Sequence, residues 1–217
     1  VAFKWRTVPG TATNLETTIG DTTFSPDFIS PTDWTTSTIP ANQITLGTTL
    51  GVVDDNLFEG DETFSIEIDT ADPILEPGTI LHQTYTIFAN DIPTVQFVSN
   101  TASGSEFAGT VQVPVSLSNP SPFATTLTFE ADTIHSSAIW GDTSVSGNDL
   151  QLVTRTVTIP AGETSANVTL SVANDSTVEA DELAIVYLSG VVGGVQGSNA
   201  THTYTIVNDD SNTPPPT

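Results

Sequence analysis

The sequence contains an acidic segment, DDNLFEGDETF from Asp54 to Phe64, that packs five carboxylates into eleven residues. Carboxylates this close together repel one another, so they are either separately solvated or held by a shared cation. A second segment, ANDSTVEADEL from Ala173 to Leu183, repeats the pattern D-x-x-x-E-x-D-E. A single acidic loop is most often a solvated surface, but its recurrence in the same context favours a cation site.

The last strand-like segment of each copy also ends in acidic and amide side chains, at Asn90–Asp91 and at Asn208–Asp210. In an antiparallel sandwich, a loop between strands and the end of the last strand can meet at one pole. Oxygen donors gathered there suit Ca²⁺, which takes about 6–8 oxygens in a flexible geometry. Mg²⁺ requires a stricter octahedral geometry and is the weaker fit. Zn²⁺ requires His or Cys, and neither clusters in this sequence.

The composition excludes several classes of partner. Lys and Arg number 3 against 26 Asp and Glu, which gives a net charge of −23. No basic surface is available to neutralise phosphates, so nucleic acid is excluded as a partner. No apolar run is long enough to span a bilayer, so we expect no direct membrane insertion. The chain has no cysteine, which excludes disulfides, thiolate metal sites and cysteine nucleophiles.

Alternation of apolar and polar residues predicts that the protein is all-β. Segments at 94–99, 110–118, 124–131 and 166–174 alternate with a period of two, which is typical of half-buried strands. No segment shows a convincing helical period. Clusters of Gly, Pro, Asn and Asp separate the strand-like segments, and this spacing favours a β-sandwich.

The chain contains two copies of one module. TSTIPANQITL from Thr36 matches TVTIPAGETSA from Thr156, and TYTIFAND from Thr84 matches TYTIVNDD from Thr203. The link between the copies falls near Ile92–Pro93, and its shortness favours a stiff junction. We therefore predict a first module at 1–92, a second at 93–210 and a proline-rich linker at 211–217.

The first copy is shorter than the second at its front. Its opening segment at 1–8 matches the third strand-like segment of the second copy, so about thirty residues, or two strands, are missing. Val1 follows no initiator Met or signal peptide, so we expect a fragment of a longer protein. The missing strands are supplied either by upstream residues or by another chain, which would make the protein a filament subunit. Upstream residues are favoured, because no spare strand is identifiable.

The two acidic segments resemble the signature of the Calx-beta domain family, the Ca²⁺-binding modules of sodium–calcium exchangers, the integrin β4 subunit and large bacterial surface proteins. The resemblance continues in GTAT at 10–13, in TIPAGETS at 158–165 and in the closing TIVNDD. It implies two tandem Ig-like antiparallel β-sandwiches, the first of which lacks its N-terminal strands. A complete module is expected to have seven strands and to bind Ca²⁺ at one pole.

The resemblance also implies which side chains bind the ions. In the first copy the expected ligands are Asp27, Asp54, Asp55, Glu59, Glu62 and Asp91. In the second copy they are Glu106, Asp149, Asp175, Glu179, Glu182, Asp209 and Asp210. Two positions that the family fills with carboxylates are Asn174 and Asn208 here, so we expect fewer or weaker ions than in fully acidic modules. The first copy has Ala89 at one ligand position and lacks the strand that carries the first glutamate.

Other residues with possible chemistry are isolated. The three histidines show no metal-ligand spacing: His82, His135 and His202. Trp5 occupies an alternating strand position and is expected in the core, whereas Trp34 and Trp140 lie in loops and are candidates for stacking on sugars. No acid is singled out beside a nucleophile, so we expect no enzymatic activity.

These patterns predict a calcium-stabilised structural or adhesive repeat of a large extracellular or cell-surface protein. Its expected partners are calcium ions and neighbouring repeat modules or identical chains. Two alternatives remain open: a Ca²⁺-sensing regulatory domain of a transporter or receptor, and an accessory module of a secreted enzyme. The acidity, the absence of cysteine and the tandem spacing favour the structural function.

Overall fold

A computed structural model of the chain describes residues 1–19, 22–69 and 82–211. The chain divides into two compact units, Val1–Asp91 and Ile92–Thr217. The regular elements of the described residues are β-strands, apart from one short 3₁₀ helix at Glu106–Ala108. Nothing in this part of the chain forms a helix that is long and apolar enough to cross a membrane. The predicted linker lies outside the described residues, except for Ser211.

The first unit is built around one antiparallel sheet. Its strands are β1 (Ala2–Pro9), β2 (Thr17–Ile19), β3 (Thr22–Phe24), β4 (Phe28–Ile29), β5 (Thr35–Thr38), β6 (Gly51–Val52), β7 (Glu62–Asp69) and β8 (His82–Ile87). The main sheet has the order β5-β1-β7-β8, and two short ladders join β2 to β3 and β4 to β6.

The second unit is a complete two-sheet sandwich. Its strands are β9 (Thr94–Phe97), β10 (Thr101–Ser105), β11 (Thr110–Leu117), β12 (Thr125–Ala131), β13 (Leu150–Leu152), β14 (Thr156–Ile159), β15 (Ser165–Val172), β16 (Glu182–Val192), β17 (Val195–Gln196) and β18 (Thr201–Val207). One sheet has the order β10-β18-β16-β12-β14, and the other has the order β13-β15-β11-β9-β17.

The pairings show that the two units are versions of one module. The order β5-β1-β7-β8 repeats the order β14-β12-β16-β18. Phe28 faces Val52 across β4 and β6, as Leu150 faces Val172 across β13 and β15. The described residues of the first unit contain no strands equivalent to β9, β10 and β11. The sequence predicts that two strands are missing, and β10 is the additional one.

The second unit has more strands than the seven that the resemblance predicts, and two of its pairings are parallel. β10 runs parallel to β18, and β17 runs parallel to β9. The chain leaves one sheet at the end of β9, after Phe97, and joins the other sheet at Thr101, where β10 begins. Local alternation does not predict this change of sheet, because β10 is a short edge strand and its pairing partner β18 is remote in sequence.

The core of the second unit is closed between its two sheets. Alternate residues of the long strands point inward, and Leu127, Leu150 and Val168 are fully buried. The rings of Phe97 and Phe129 lie 5.6 Å apart at its centre. Such burial removes apolar surface from water and is the main force that holds the sheets together.

The core of the first unit is small and lies at one end of its sheet. Phe28 stacks on Phe64 with ring centroids 4.7 Å apart, and Phe64 lies 5.5 Å from Tyr85. The rest of the inner face forms an open apolar groove of about 140 Å³, lined by Trp5, Leu46 and their neighbours. Trp5 is only 7% exposed, which confirms its expected place in the core. In the second unit, the equivalent face is covered by the second sheet.

Replacing a central aromatic residue should strongly destabilise the second unit. Phe129→Ala should lower its free energy of unfolding by about 3–5 kcal/mol, because the ring is buried and leaves a cavity. Ile134→Ala is the matched control, since this side chain is 84% exposed, and it should change the free energy by less than about 0.5 kcal/mol. Urea denaturation followed by circular dichroism measures both, and equal effects would contradict the assignment of Phe129 to the core.

Candidate metal centre

The structure brings the six predicted ligands of the first unit together around one cleft. The residues come from the start of β4, the loop between β6 and β7, the start of β7 and the chain beyond β8. The cleft is lined by Asp27, Asp54, Asp55, Glu59, Glu62 and Asp91. Asn90 lies beside them, and its Nδ2 donates to Asp54 Oδ1 at 2.9 Å.

The innermost carboxylates of the first unit are close enough to share one ion. Asp27, Glu59 and Glu62 each place an oxygen within 4.8 Å of the other two. Asp27 is buried, and its Oδ2 accepts a hydrogen bond from the Thr13 backbone N–H. The Asp55 Oδ1 accepts a hydrogen bond from Leu57 N at 2.8 Å, which holds the acidic loop in a turn.

The electrostatics of the first cluster show that its charges are not balanced by side chains. Burial, followed by a hydrogen bond to Asp27 and repulsion from it, raises the pKa of Glu59 to about 8. Burial and the same neighbour raise the pKa of Glu62 to about 7. Burial alone would raise the pKa of Asp27, but the hydrogen bonds that it accepts outweigh burial and lower it. At neutral pH the cation-free cluster therefore holds protons that a metal ion would displace.

The second unit gathers its seven predicted ligands at the corresponding pole. The residues come from the 3₁₀ helix, the chain before β13, the loop between β15 and β16, the start of β16 and the chain beyond β18. They form two groups of three whose oxygens lie within 4.8 Å of one another: Glu106, Asp209, Asp210 and Asp149, Glu179, Glu182. Asp175 lines the same cleft as Asp149 and Glu179.

Hydrogen bonds to the backbone position the second cluster as they do the first. Asp149, which matches Asp27, accepts a hydrogen bond on Oδ2 from Ile139 N at 2.6 Å. Asp175 accepts one from Thr177 N at 2.6 Å, as Asp55 does in the first copy. These bonds orient the carboxylates but do not neutralise them.

Buried negative charge in the second cluster also lacks a partner. Burial, followed by a hydrogen bond with Asp149 and repulsion from it, raises the pKa of Glu182 to about 7. Burial and repulsion from Asp209 and Asp210 raise the pKa of Glu106. The Oδ2 of Asp210 is buried and has no hydrogen-bond partner. A buried carboxylate oxygen without a donor is costly, and a cation at this position would satisfy it.

The absent strands account for the difference between the two poles. Within its described residues, the first unit holds one group of three carboxylates, whereas the second holds two. The additional group contains Glu106, which lies between β10 and β11. The first unit has no equivalent of either strand among its described residues, so it has no equivalent of this glutamate.

The structure also assigns a function to an acidic residue that the sequence analysis left out of the site. Asp61 Oδ1 accepts a hydrogen bond from Ala89 N at 3.0 Å, and Asp181 Oδ1 accepts one from Asn208 N at 3.2 Å. These aspartates fasten the end of the last strand to the acidic loop and so position the terminal carboxylates. The sequence could have indicated this aspartate, because the repeated D-x-x-x-E-x-D-E pattern includes it in both copies.

The donor sets fit a hard divalent cation. Every member of the three groups in the described chain is a carboxylate, which favours Ca²⁺ or Mg²⁺ and excludes a typical Zn²⁺ site. The ligands come from several loops and strand ends, so their distances can adjust. This adjustable geometry suits Ca²⁺ better than the rigid octahedron of Mg²⁺.

Comparison with known proteins identifies the family. The model of the Calx-beta domain matches residues 40–87 and 89–210, so the chain belongs to the Calx-beta domain family. A crystal structure of the apo-form Calx CBD1 domain is similar at 20% identity and a TM-score of 0.45, over 55% of this chain and 99% of that chain. A crystal structure of CBD12 from CALX1.2 is similar at 15% identity and a TM-score of 0.45, over 94% of this chain and 86% of that chain. No curated protein matches the sequence.

The raised pKa values predict an unusual pH dependence without a metal ion. The folded-state pKa values of Glu59 and Glu62 lie above the ordinary value of 4.5, so the folded unit binds protons more tightly than the unfolded chain. In a chelating buffer, the melting temperature of the first unit should therefore fall as pH rises from about 5 to about 8. Calorimetry across this range measures the slope.

The matched variants for this pH experiment are Glu59→Gln and Glu16→Gln. Glu59→Gln removes one of the titrating groups and should flatten the slope. Glu16→Gln removes an exposed acid outside the cleft and should leave the slope nearly unchanged. A melting temperature that rises with pH in chelator would contradict the cluster as described.

Proposed function

We propose that the protein binds Ca²⁺ at the acidic pole of each unit, through the thirteen acidic residues predicted from the sequence. The observation that carries this proposal is the convergence of three groups of carboxylates, each within 4.8 Å, none of which forms an ion pair with a side chain of the described residues. One ion at each group gives one ion in the first unit and two in the second. The buried, unpartnered Asp210 oxygen supports an ion in the group that contains Glu106.

The bound ions act by joining parts of the chain that are remote in sequence. In the second unit they connect the 3₁₀ helix, the chain before β13, the loop after β15 and the end of β18. The ions bind the folded pole and not the unfolded chain, so each site stabilises the fold by RT ln(1 + [Ca²⁺]/Kd). They also remove the repulsion that would otherwise separate the acidic loops.

Ca²⁺-stabilised units of this kind suit a structural or adhesive repeat of a large extracellular or cell-surface protein. Two copies in tandem, a short junction and a net charge of −23 support this function. The open apolar groove of the first unit supports a further possibility, in which a strand from an identical chain completes the sheet and forms a filament. Sensing of Ca²⁺ for an attached transporter or receptor is the second candidate function, because ions that join several loops could transmit a change to a neighbouring domain.

Calcium should stabilise the protein much more than magnesium. At a free Ca²⁺ concentration about 100 times Kd, each bound ion adds about 2.7 kcal/mol of stability, which raises the melting temperature of its unit by roughly 10 °C. Mg²⁺ at the same concentration should give less than half of this shift, because the ligand set is not a rigid octahedron. Scanning calorimetry in chelator, CaCl₂ and MgCl₂ measures the shifts. Identical melting in chelator and in CaCl₂ would refute the proposal.

Two neighbouring acids should have different effects on Ca²⁺ affinity when each loses its charge. Glu182→Gln removes a carboxylate from a three-membered group and should weaken binding at that site at least about tenfold, or 1.4 kcal/mol. Asp181→Asn removes the same charge but keeps an oxygen that can accept the Asn208 N–H. The Ca²⁺ affinity of the Asp181→Asn variant should stay within about threefold of that of the unsubstituted protein. Calorimetric titration of the full chain tests both, and equal weakening would mean that Glu182 acts only through long-range charge.

A further inference from the structure

The second unit carries a polar cleft that shares no residue with the acidic groups. Its volume is about 330 Å³, at the lower end of the range of about 300–1,000 Å³ that is common for small-molecule sites. The cleft lies where β12 ends and β14 begins, beside β13. The side chains that matter for recognition are Glu130, Thr133, Trp140, Gln151 and Arg155.

Trp140 gives the cleft a rigid aromatic wall. Its half-buried ring packs against the core of the unit. Its Nε1 donates to Ser136 Oγ at 2.9 Å, and Ser136 Oγ also accepts from Ile185 N at 2.9 Å. The backbone beside the ring is held by Gly141 N, which donates to Leu150 O at 2.9 Å. Because the indole N–H is already used inside the protein, the ring offers a ligand its apolar surface and not a hydrogen bond.

The polar side chains of the cleft offer both donors and acceptors. Arg155 is the only Lys or Arg in residues 92–217. It is exposed and forms no ion pair within the described part of the chain. Glu130 accepts a hydrogen bond on Oε2 from the Tyr187 hydroxyl at 2.8 Å, which orients its carboxylate. Gln151 is half-buried and adds an amide, and Thr133 adds a hydroxyl.

We propose that this cleft binds a neutral pyranose residue of a glycan. A pyranose has an apolar C–H face that can lie on the Trp140 ring. Its neighbouring hydroxyls can donate to the Glu130 carboxylate and accept from the Arg155 guanidinium and the Gln151 amide. The charges of Glu130 and Arg155 balance within the cleft. The remaining net charge of the chain is strongly negative and disfavours an anionic sugar.

The proposal is tested on the full chain with defined sugars in excess CaCl₂. Calcium is included because Ile139 N, next to Trp140, donates to Asp149 of the acidic group. The probes are cellobiose, maltose, lactose and mannobiose, with glucuronic acid as the anionic probe. Saturation-transfer NMR detects binding, and calorimetry measures its affinity. At least one neutral disaccharide should bind, and glucuronic acid should bind more weakly than that disaccharide.

Three variants distinguish this cleft from other surfaces. Trp140→Ala and Arg155→Ala should each weaken binding of the disaccharide at least about tenfold, or 1.4 kcal/mol. Trp34→Ala is the matched control, because Trp34 is an exposed loop tryptophan that lies 4.7 Å from a different arginine, Arg6. It should leave the affinity unchanged. Since Trp140→Ala could disturb the loop, Arg155→Ala provides an independent test at an exposed position, and circular dichroism checks the fold of both.

Three results would overturn the proposal. The first is that none of the neutral disaccharides binds. The second is that binding survives both Trp140→Ala and Arg155→Ala, or is lost in Trp34→Ala. The third is that glucuronic acid binds more tightly than every neutral disaccharide, which would show that Arg155 recognises an anion.

Discussion

Repulsion among carboxylates at the pole of each unit is the constraint on which the rest of the structure depends. The fold brings oxygens of three carboxylates within 4.8 Å of one another in each group, and none of these carboxylates forms an ion pair with a side chain of the described residues. Burial and mutual repulsion raise the pKa of Glu59 to about 8 and that of Glu182 to about 7. Such an arrangement is stable only if protons or cations occupy it. The acidic loops and the ends of the last strands are therefore expected to be ordered by what they bind, while the sheets are ordered by their apolar cores.

Among the described residues, the first unit differs from the second in both its core and its pole, and the two differences involve the same strands. In the second unit, β9 and β11 complete the second sheet, and Glu106 lies just before β11 in the 3₁₀ helix. The first unit has no equivalent of these elements among its described residues, so its apolar groove remains open and its pole holds one carboxylate group. Anything that supplied the missing strands would cover the groove, and it could add the missing ligand if it carried an acid at the matching position. Closure of the sheet and completion of the acidic cluster therefore depend on the same strands.

Two consecutive acidic residues near each pole make different contacts, although they look equivalent in the sequence. Glu62 and Glu182 point into the clusters, whereas the preceding Asp61 and Asp181 accept hydrogen bonds from the backbone at the end of the last strand. A strand begins at each glutamate, so consecutive side chains point in different directions. One acid of each pair belongs to the cluster, and the other holds the ends of two segments together. The aspartate of each pair thus fixes the backbone that supports the cluster.

The sequence by itself determined the β-sandwich architecture, the two copies and the repeated acidic segments, because alternation and repetition are local properties of the sequence. The remaining members of the acidic sets, such as Asp27, Glu106 and Asp149, were implied by the resemblance to the Calx-beta domain family. The spacing from Asp55 to Glu62 and its repeat from Asp175 to Glu182 identified residues that the structure does bring together. The tertiary structure alone decided which carboxylates share a group, that β10 and β17 pair in parallel, and that Asp61 fastens a strand end. It also decided that Trp140, Arg155 and Glu130 line one cleft. These outcomes depend on packing between segments that are far apart in sequence. Residue type and local spacing do not specify that packing.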